Sequence, residues 1–121
     1  MTIIKAIRID TAERRFHEVE IEQDNTQSIC EFVGCSHFDV VRIDHHDVIF
    51  VDDEGLLTAN KDSTFFTLKS YGGILVGNGL LVGTNAEGES IDPTTTIEWL
   101  EENVSFGKFL EMDGKLLPVL R

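Results

Sequence analysis

The sequence predicts an α+β domain: a mostly antiparallel sheet with one or two short helices, then a C-terminal helix and a β-hairpin. Three observations carry this. β-Branched and alternating segments recur at strand length, separated by short turns. One short helical stripe ends at a glycine. Asp92-Pro93 then offers a helix start followed by apolar helical spacing.

The elements follow in order. Thr2 to Ile9 reads as a strand, with Ile3, Ile4, Ile7 and Ile9 β-branched. Asp10-Thr11-Ala12-Glu13 is a turn. In Arg15 to Glu22, Phe16, Glu18, Glu20 and Glu22 share one parity, and His17, Val19 and Ile21 the other. That is a half-buried strand with an acidic outer face, closing an antiparallel hairpin. Asp24 to Gly34 fits a short helix capped by Asp24, Asn25 or Thr26. Ile29, Phe32 and Val33 form its stripe and Gly34 its stop.

His37 to Ile43 and Val48 to Asp52 are two further strands. Asp44-His45-His46-Asp47 reads as a solvated connection between them, and Asp53-Glu54-Gly55 as the next turn. Leu56 to Ser70 allows two readings. Phe65, Phe66 and Leu68 fit a helix started by Asp62 or Ser63, or an extended segment. Ile74-Leu75-Val76-Gly77-Asn78 and Leu80-Leu81-Val82-Gly83-Thr84-Asn85 are two short buried strands with close backbone approach at the glycines. The Asp92-Pro93 helix should run to about Asn103, burying Ile97, Leu100 and Val104. Glu98, Glu101 and Glu102 cluster on a neighbouring face. Phe106 to Glu111 and Lys115 to Leu120 close the chain as a hairpin around Met112-Asp113-Gly114. No linker or low-complexity segment divides the 121 residues, so one domain is expected.

Charge is the strongest functional signal. Twenty-two Asp and Glu face ten Lys and Arg, a net charge of −12. Such a surface repels nucleic-acid phosphates and anionic membranes, so neither is an expected direct partner. It suits a basic protein surface, of the kind that itself grips nucleic acid. A homo-oligomer also remains open. No run approaches the ~20 apolar residues of a membrane helix. The N-terminal residues lack a signal-peptide pattern, so a cytoplasmic location is expected, with Cys30 and Cys35 reduced.

Four constellations invite chemistry. His45 and His46 between Asp44 and Asp47 are metal-ligand types, and an Asp-His-His triplet occurs in a phosphoesterase superfamily. The further motifs of that superfamily are missing here. Cys30, Cys35 and His37 approach zinc spacing without an obvious fourth ligand. Gly77-x-Gly79-x-x-x-Gly83 misses the dinucleotide fingerprint by one residue, and no Walker loop follows. No metal or cofactor is therefore expected. The last constellation is acidic. Glu87, Glu89 and Asp92, then Glu98, Glu101 and Glu102 beside Trp99, are the expected partner-binding residues. An exposed Trp99 would serve as their aromatic anchor.

The order of signals also resembles a known family. It runs through Gly34, Val40-Val41-Arg42, Val51-Asp52-Asp53-Glu54-Gly55-Leu56-Leu57 and Asn60. It continues through Gly73-Ile74-Leu75-Val76-Gly77-Asn78 to Leu80-Leu81-Val82-Gly83. Over roughly Ile3 to Asp92 this is similar to the phage- and mobile-element family catalogued as domain of unknown function 3846, with residues from 93 onward as a helix–hairpin extension. The family pattern carries Arg and Ala after the Asn, whereas Lys61 and Asp62 follow Asn60 here. The resemblance implies a phage context and no mechanism.

Three functions follow as expectations. The first is a non-enzymatic phage or prophage protein that binds and blocks a host defence component, of anti-CRISPR or anti-restriction type, by imitating nucleic acid. The alternative is a sponge for a nucleotide signal, using Arg42, Asn60 and Asn78 around the Gly72–Asn85 segment. The third is a metal-dependent hydrolase through His45 and His46.

Overall fold

Among the described residues, 2–121, the computed structural model forms ten strands in two antiparallel sheets, with three short helices. The strands are β1 (Ile3–Asp10), β2 (Arg15–Glu22), β3 (Phe38–Arg42), β4 (Asp47–Asp52) and β5 (Thr64–Leu68). They continue with β6 (Tyr71–Val76), β7 (Gly79–Thr84), β8 (Ser90–Ile91), β9 (Val104–Met112) and β10 (Lys115–Leu120). The helices are α1 (Thr26–Val33), α2 (Gly55–Thr58) and α3 (Ile97–Asn103). The first sheet has the order β2-β1-β7-β4-β3, with β8 also on β7; the second has the order β10-β9-β5-β6. The predicted α+β class and its largely antiparallel pairing are what the chain adopts.

Alternation along the strands distributes three cores. Ile7, Ile9, Ile49, Val51 and Leu81 of the first sheet pack with Phe66, Leu68 and Leu75 of the second. On the first sheet's other face, Ile4, Ala6, Val48, Leu80 and Val82 receive Ile29 and Val33 of α1. The second sheet's outer face holds Phe65 against Phe109, ring centroids 5.3 Å apart. Asn25 caps α1 by accepting from Ser28 N–H at 3.0 Å. Gly34 ends it in the left-handed region at φ 80°, its N–H bonded to the Cys30 carbonyl.

The ambiguous Leu56–Ser70 stretch resolves as α2 followed by the extended β5, so no helix starts at Asp62 or Ser63. Phe65 and Phe66 point to opposite faces of the second sheet and fill different cores, which only a strand permits. β6 and β7 occupy different sheets, the chain crossing between them at Gly77-Asn78. Among the described residues, no helix is long and apolar enough to cross a membrane.

One predicted boundary is wrong. Asp92-Pro93 does not open α3. Thr96 is the N-cap, its hydroxyl accepting from Trp99 N–H at 3.1 Å. Asp92 is occupied elsewhere, accepting from the Lys5 N–H at 2.8 Å. Thr94 and Thr95 are held in turn by Asp47, which keeps them out of the helix.

Candidate functional site

The best-organised polar cluster surrounds Asp47. Its side chain is fully buried at the start of β4, contrary to the expected solvated connection. Asp44 makes the burial workable: its Oδ1 accepts from the N–H of His46 and of Asp47, both at 2.8 Å, forming a tight turn. The Asp47 carboxylate then accepts from Thr94 N–H at 3.0 Å, Thr95 N–H at 2.6 Å, both threonine hydroxyls, and His46 Nδ1 at 2.5 Å. Burial pushes the carboxyl pKa up, but these hydrogen bonds outweigh it and hold the group below its ordinary value. Oδ2 takes the donors of Thr94 and Thr95 that position the entry to α3, and Oδ1 takes His46. His46 is tied to this carboxylate through Nδ1, while His45 is exposed, and among the described residues neither belongs to a cluster of three ligand-type side chains.

Close approach completes the anchor. A Cβ on Gly83 of β7 would lie 2.5 Å from the Asp92 carbonyl oxygen and 2.6 Å from His46 Cε1. Only glycine leaves room there for the strand, the histidine and the α3 entry together.

The acidic residues are presented on top of this anchor. Leu100 is fully buried and fixes the inner side of α3, while Glu98, Glu101 and Glu102 are exposed. Lys69 N–H binds the Asn103 carbonyl at 3.0 Å, and Asn103 Nδ2 donates to the Trp99 carbonyl at 2.8 Å, closing the far end. Glu87 and Glu89 are also exposed, on a turn ordered by Asn85, whose Oδ1 accepts from both their N–H groups.

Two expected members also serve the fold. Asp92 is exposed and holds β1 through the Lys5 N–H. Trp99 is half-buried, packs on the inter-sheet core, and shares a hollow with Ile43, Asp44 and Thr94–Thr96. It is therefore not the exposed anchor that the sequence left open. With Thr96 as N-cap and α3 beginning at Ile97, Trp99 lies beside Ile43 and Asp44, just beyond β3.

The expected ligand set does not assemble. Asn78 is internal to the fold, its Oδ1 accepting from Thr11 N–H at 3.0 Å and the Thr11 hydroxyl at 3.2 Å. Asn60 is exposed and forms a local turn with Asp62 N–H. Arg42 lies on β3, at the edge of the first sheet, and donates to the Asp44 carbonyl. These three side chains serve separate structural tasks.

Cys30 and Cys35 are free and half-buried. Burial, then the neighbouring Cys30, pushes the Cys35 thiol up to about 12, which keeps it protonated and poorly nucleophilic. His37 instead faces Glu54 at 3.7 Å.

Sequence reasoning missed one titratable group: Asp10, Glu13 and His17, whose donor atoms all lie within 4.8 Å of one another at the β1–β2 turn. The i, i+3, i+7 spacing across a hairpin is the signal that could have found it. Asp10 is already engaged there, accepting from Glu13 N–H at 3.0 Å and facing Arg8 at 3.4 Å.

The fold and site together define a two-sheet α+β domain that presents exposed carboxylates on a helix anchored at both ends. The chain belongs to the family described as a domain of unknown function, DUF3846, whose model matches residues 4–105. The match runs past Asp92 and takes in α3, leaving most of the β9–β10 hairpin beyond it. No curated protein and no solved structure matches the chain.

Proposed function

We propose that this protein is a non-catalytic inhibitor that docks its acidic α3 face onto a basic protein surface. The partner is a nucleic-acid-binding component of a host defence system, of CRISPR or restriction type. The chain would act in the host cytoplasm as a phage or prophage product. The observation that carries this reading is the exposure of Glu98, Glu101 and Glu102 on a helix whose two ends are fixed by side-chain hydrogen bonds. A preorganised row of carboxylates loses little conformational entropy on binding and can stand in for phosphates. The net charge of −12 adds long-range attraction to a basic partner.

The test is a triple charge reversal, Glu98→Lys, Glu101→Lys and Glu102→Lys, read by native mass spectrometry after gentle recovery from host lysate. The unaltered chain should retain a nucleic-acid-binding protein, and the triple variant should lose it while keeping its circular dichroism. Raising salt from 50 to 500 mM should also release the partner, on the order of the Debye screening expected for exposed charges. Equal retention by the folded triple variant would sink the proposal.

A further inference from the structure

Beside that docking face, with which it shares Glu101, we infer that the cleft between β2 and α3 binds a small phosphorylated molecule with a flat ring, a guanine nucleotide by its chemistry. The cleft measures about 530 Å³ and is lined by Arg14, Arg15, Phe16, Ile97, Glu101 and Phe106 among others. That volume suits a nucleotide-sized ligand.

The guanidinium groups are the first argument. Arg8 and Lys5 make ion pairs with Asp10 and Glu18. Among the described residues, Arg14 and Arg15 make none, like most of the ten Lys and Arg, but they are the two of the ten that line this cleft. Two guanidiniums lining one cleft can both donate to a phosphate.

The backbone gives the second. Arg14 is held at φ 58°, in the left-handed region. The other two non-glycine residues there, Asp24 and Asp113, are of a type that tolerates it; arginine is not. The turn therefore places an arginine where glycine or asparagine would be more comfortable.

The walls supply the third. Phe16 and Phe106 are half-buried with ring centroids 5.4 Å apart, giving an apolar surface against which a planar ring can pack. Glu101 faces the cleft from α3. A carboxylate there accepts from a base edge that offers N–H donors, which favours guanine over uracil. A polynucleotide is disfavoured because the remaining surface repels it, whereas a single nucleotide meets only the local charge.

Isothermal titration with 5′-GMP tests this, with inorganic phosphate, guanosine and 5′-UMP as separate arms. GMP should bind one per chain, at least about tenfold more tightly than the other three probes, since each lacks one charge-assisted contact set. The double variant Arg14→Gly, Arg15→Gln keeps the left-handed turn and should weaken GMP by about tenfold or more. Glu101→Gln should reduce the preference for GMP over UMP. In the unaltered chain, GMP should shift the NMR signals of Arg14, Arg15 and Phe106, a readout that needs no variant. No GMP binding at about 1 mM, or equal binding by the folded double variant, would overturn the inference. Phosphate binding as tightly as GMP would equally overturn it. Because the arginine changes leave the α3 glutamates in place, failure here is separable from failure of the docking proposal.

Discussion

The Asp47 carboxylate accepts from both the backbone N–H and the hydroxyl of Thr95, 48 residues further along the chain. This one pairing ties the start of β4, next to the edge strand of the first sheet, to the entry of α3. A buried charge of this kind is tolerated only when donors surround it. Asp47→Ala would leave the Thr94 and Thr95 N–H groups without their acceptor. The expected loss is about 3 kcal/mol of stability, from several charge-assisted hydrogen bonds partly replaced by water. Asp47→Asn should lose nearly as much, because its amide NH₂ adds a donor where donors already converge. Urea unfolding measures both, and a loss below about 1 kcal/mol for Asp47→Ala would contradict the assigned network.

Acid should weaken the same anchor. The folded-state pKa of Asp47 is lowered, the hydrogen bonds outweighing burial. Its contribution is therefore complete above the unfolded value of about 4 and is lost as pH falls through the lower folded value. Urea unfolding of the native chain and of Asp47→Ala at pH 7 and pH 2.5 separates this from general acid effects. The stability gap between them should narrow in acid. An unchanged gap would show that Asp47 is not the titrating group.

Local elements were legible in the sequence and long-range ones were not. The β1–β2 hairpin and α1 follow from alternation, the Asn25 cap and Gly34, all encoded within a few residues. The start of α3 was misread because Asp92-Pro93 is a good local cap, while the competing ligand of Thr94 and Thr95 comes from β4. Asp47 itself looked solvated among Asp44, His45 and His46. The two Ile/Leu/Val strands around Gly77 were correctly seen as buried, yet nothing local says that they enter different sheets. Of the candidate site, the Glu98–Glu101–Glu102 spacing was readable because helix periodicity alone sets it. The β2–α3 cleft was not, since Phe106 reaches Phe16 only after the sheets pack.

Gly83 should be as sensitive as a core residue. An alanine there would press its Cβ on the Asp92 carbonyl and the His46 ring. The backbone carbonyl cannot swing away as a flexible side chain would, so about 1–3 kcal/mol is expected. The same strain displaces His46 from Asp47. Gly83→Ala and Asp47→Ala should therefore be less than additive when combined. Full additivity in urea unfolding would mean that the two residues act on separate parts of the fold.

The final prediction concerns how rigidly α3 must be held. Thr96 caps the helix, and Asp92 serves β1 instead. Thr96→Ala should cost about 1 kcal/mol, the usual price of an N-cap. It should also shift the amide resonance of Trp99, whose N–H is the capped group. Asp92→Ala should leave that resonance in place and perturb Lys5. If the reverse pattern appeared, the helix would start at Asp92 after all. Thr96→Ala removes no charge, so a purely long-range electrostatic attraction to a partner would survive it. A preorganised carboxylate row would not, because fraying the first turn lets Glu98 drift from Glu101 and Glu102. Weaker partner binding by folded Thr96→Ala, measured by native mass spectrometry at constant salt, is the outcome expected for a geometric match rather than charge alone.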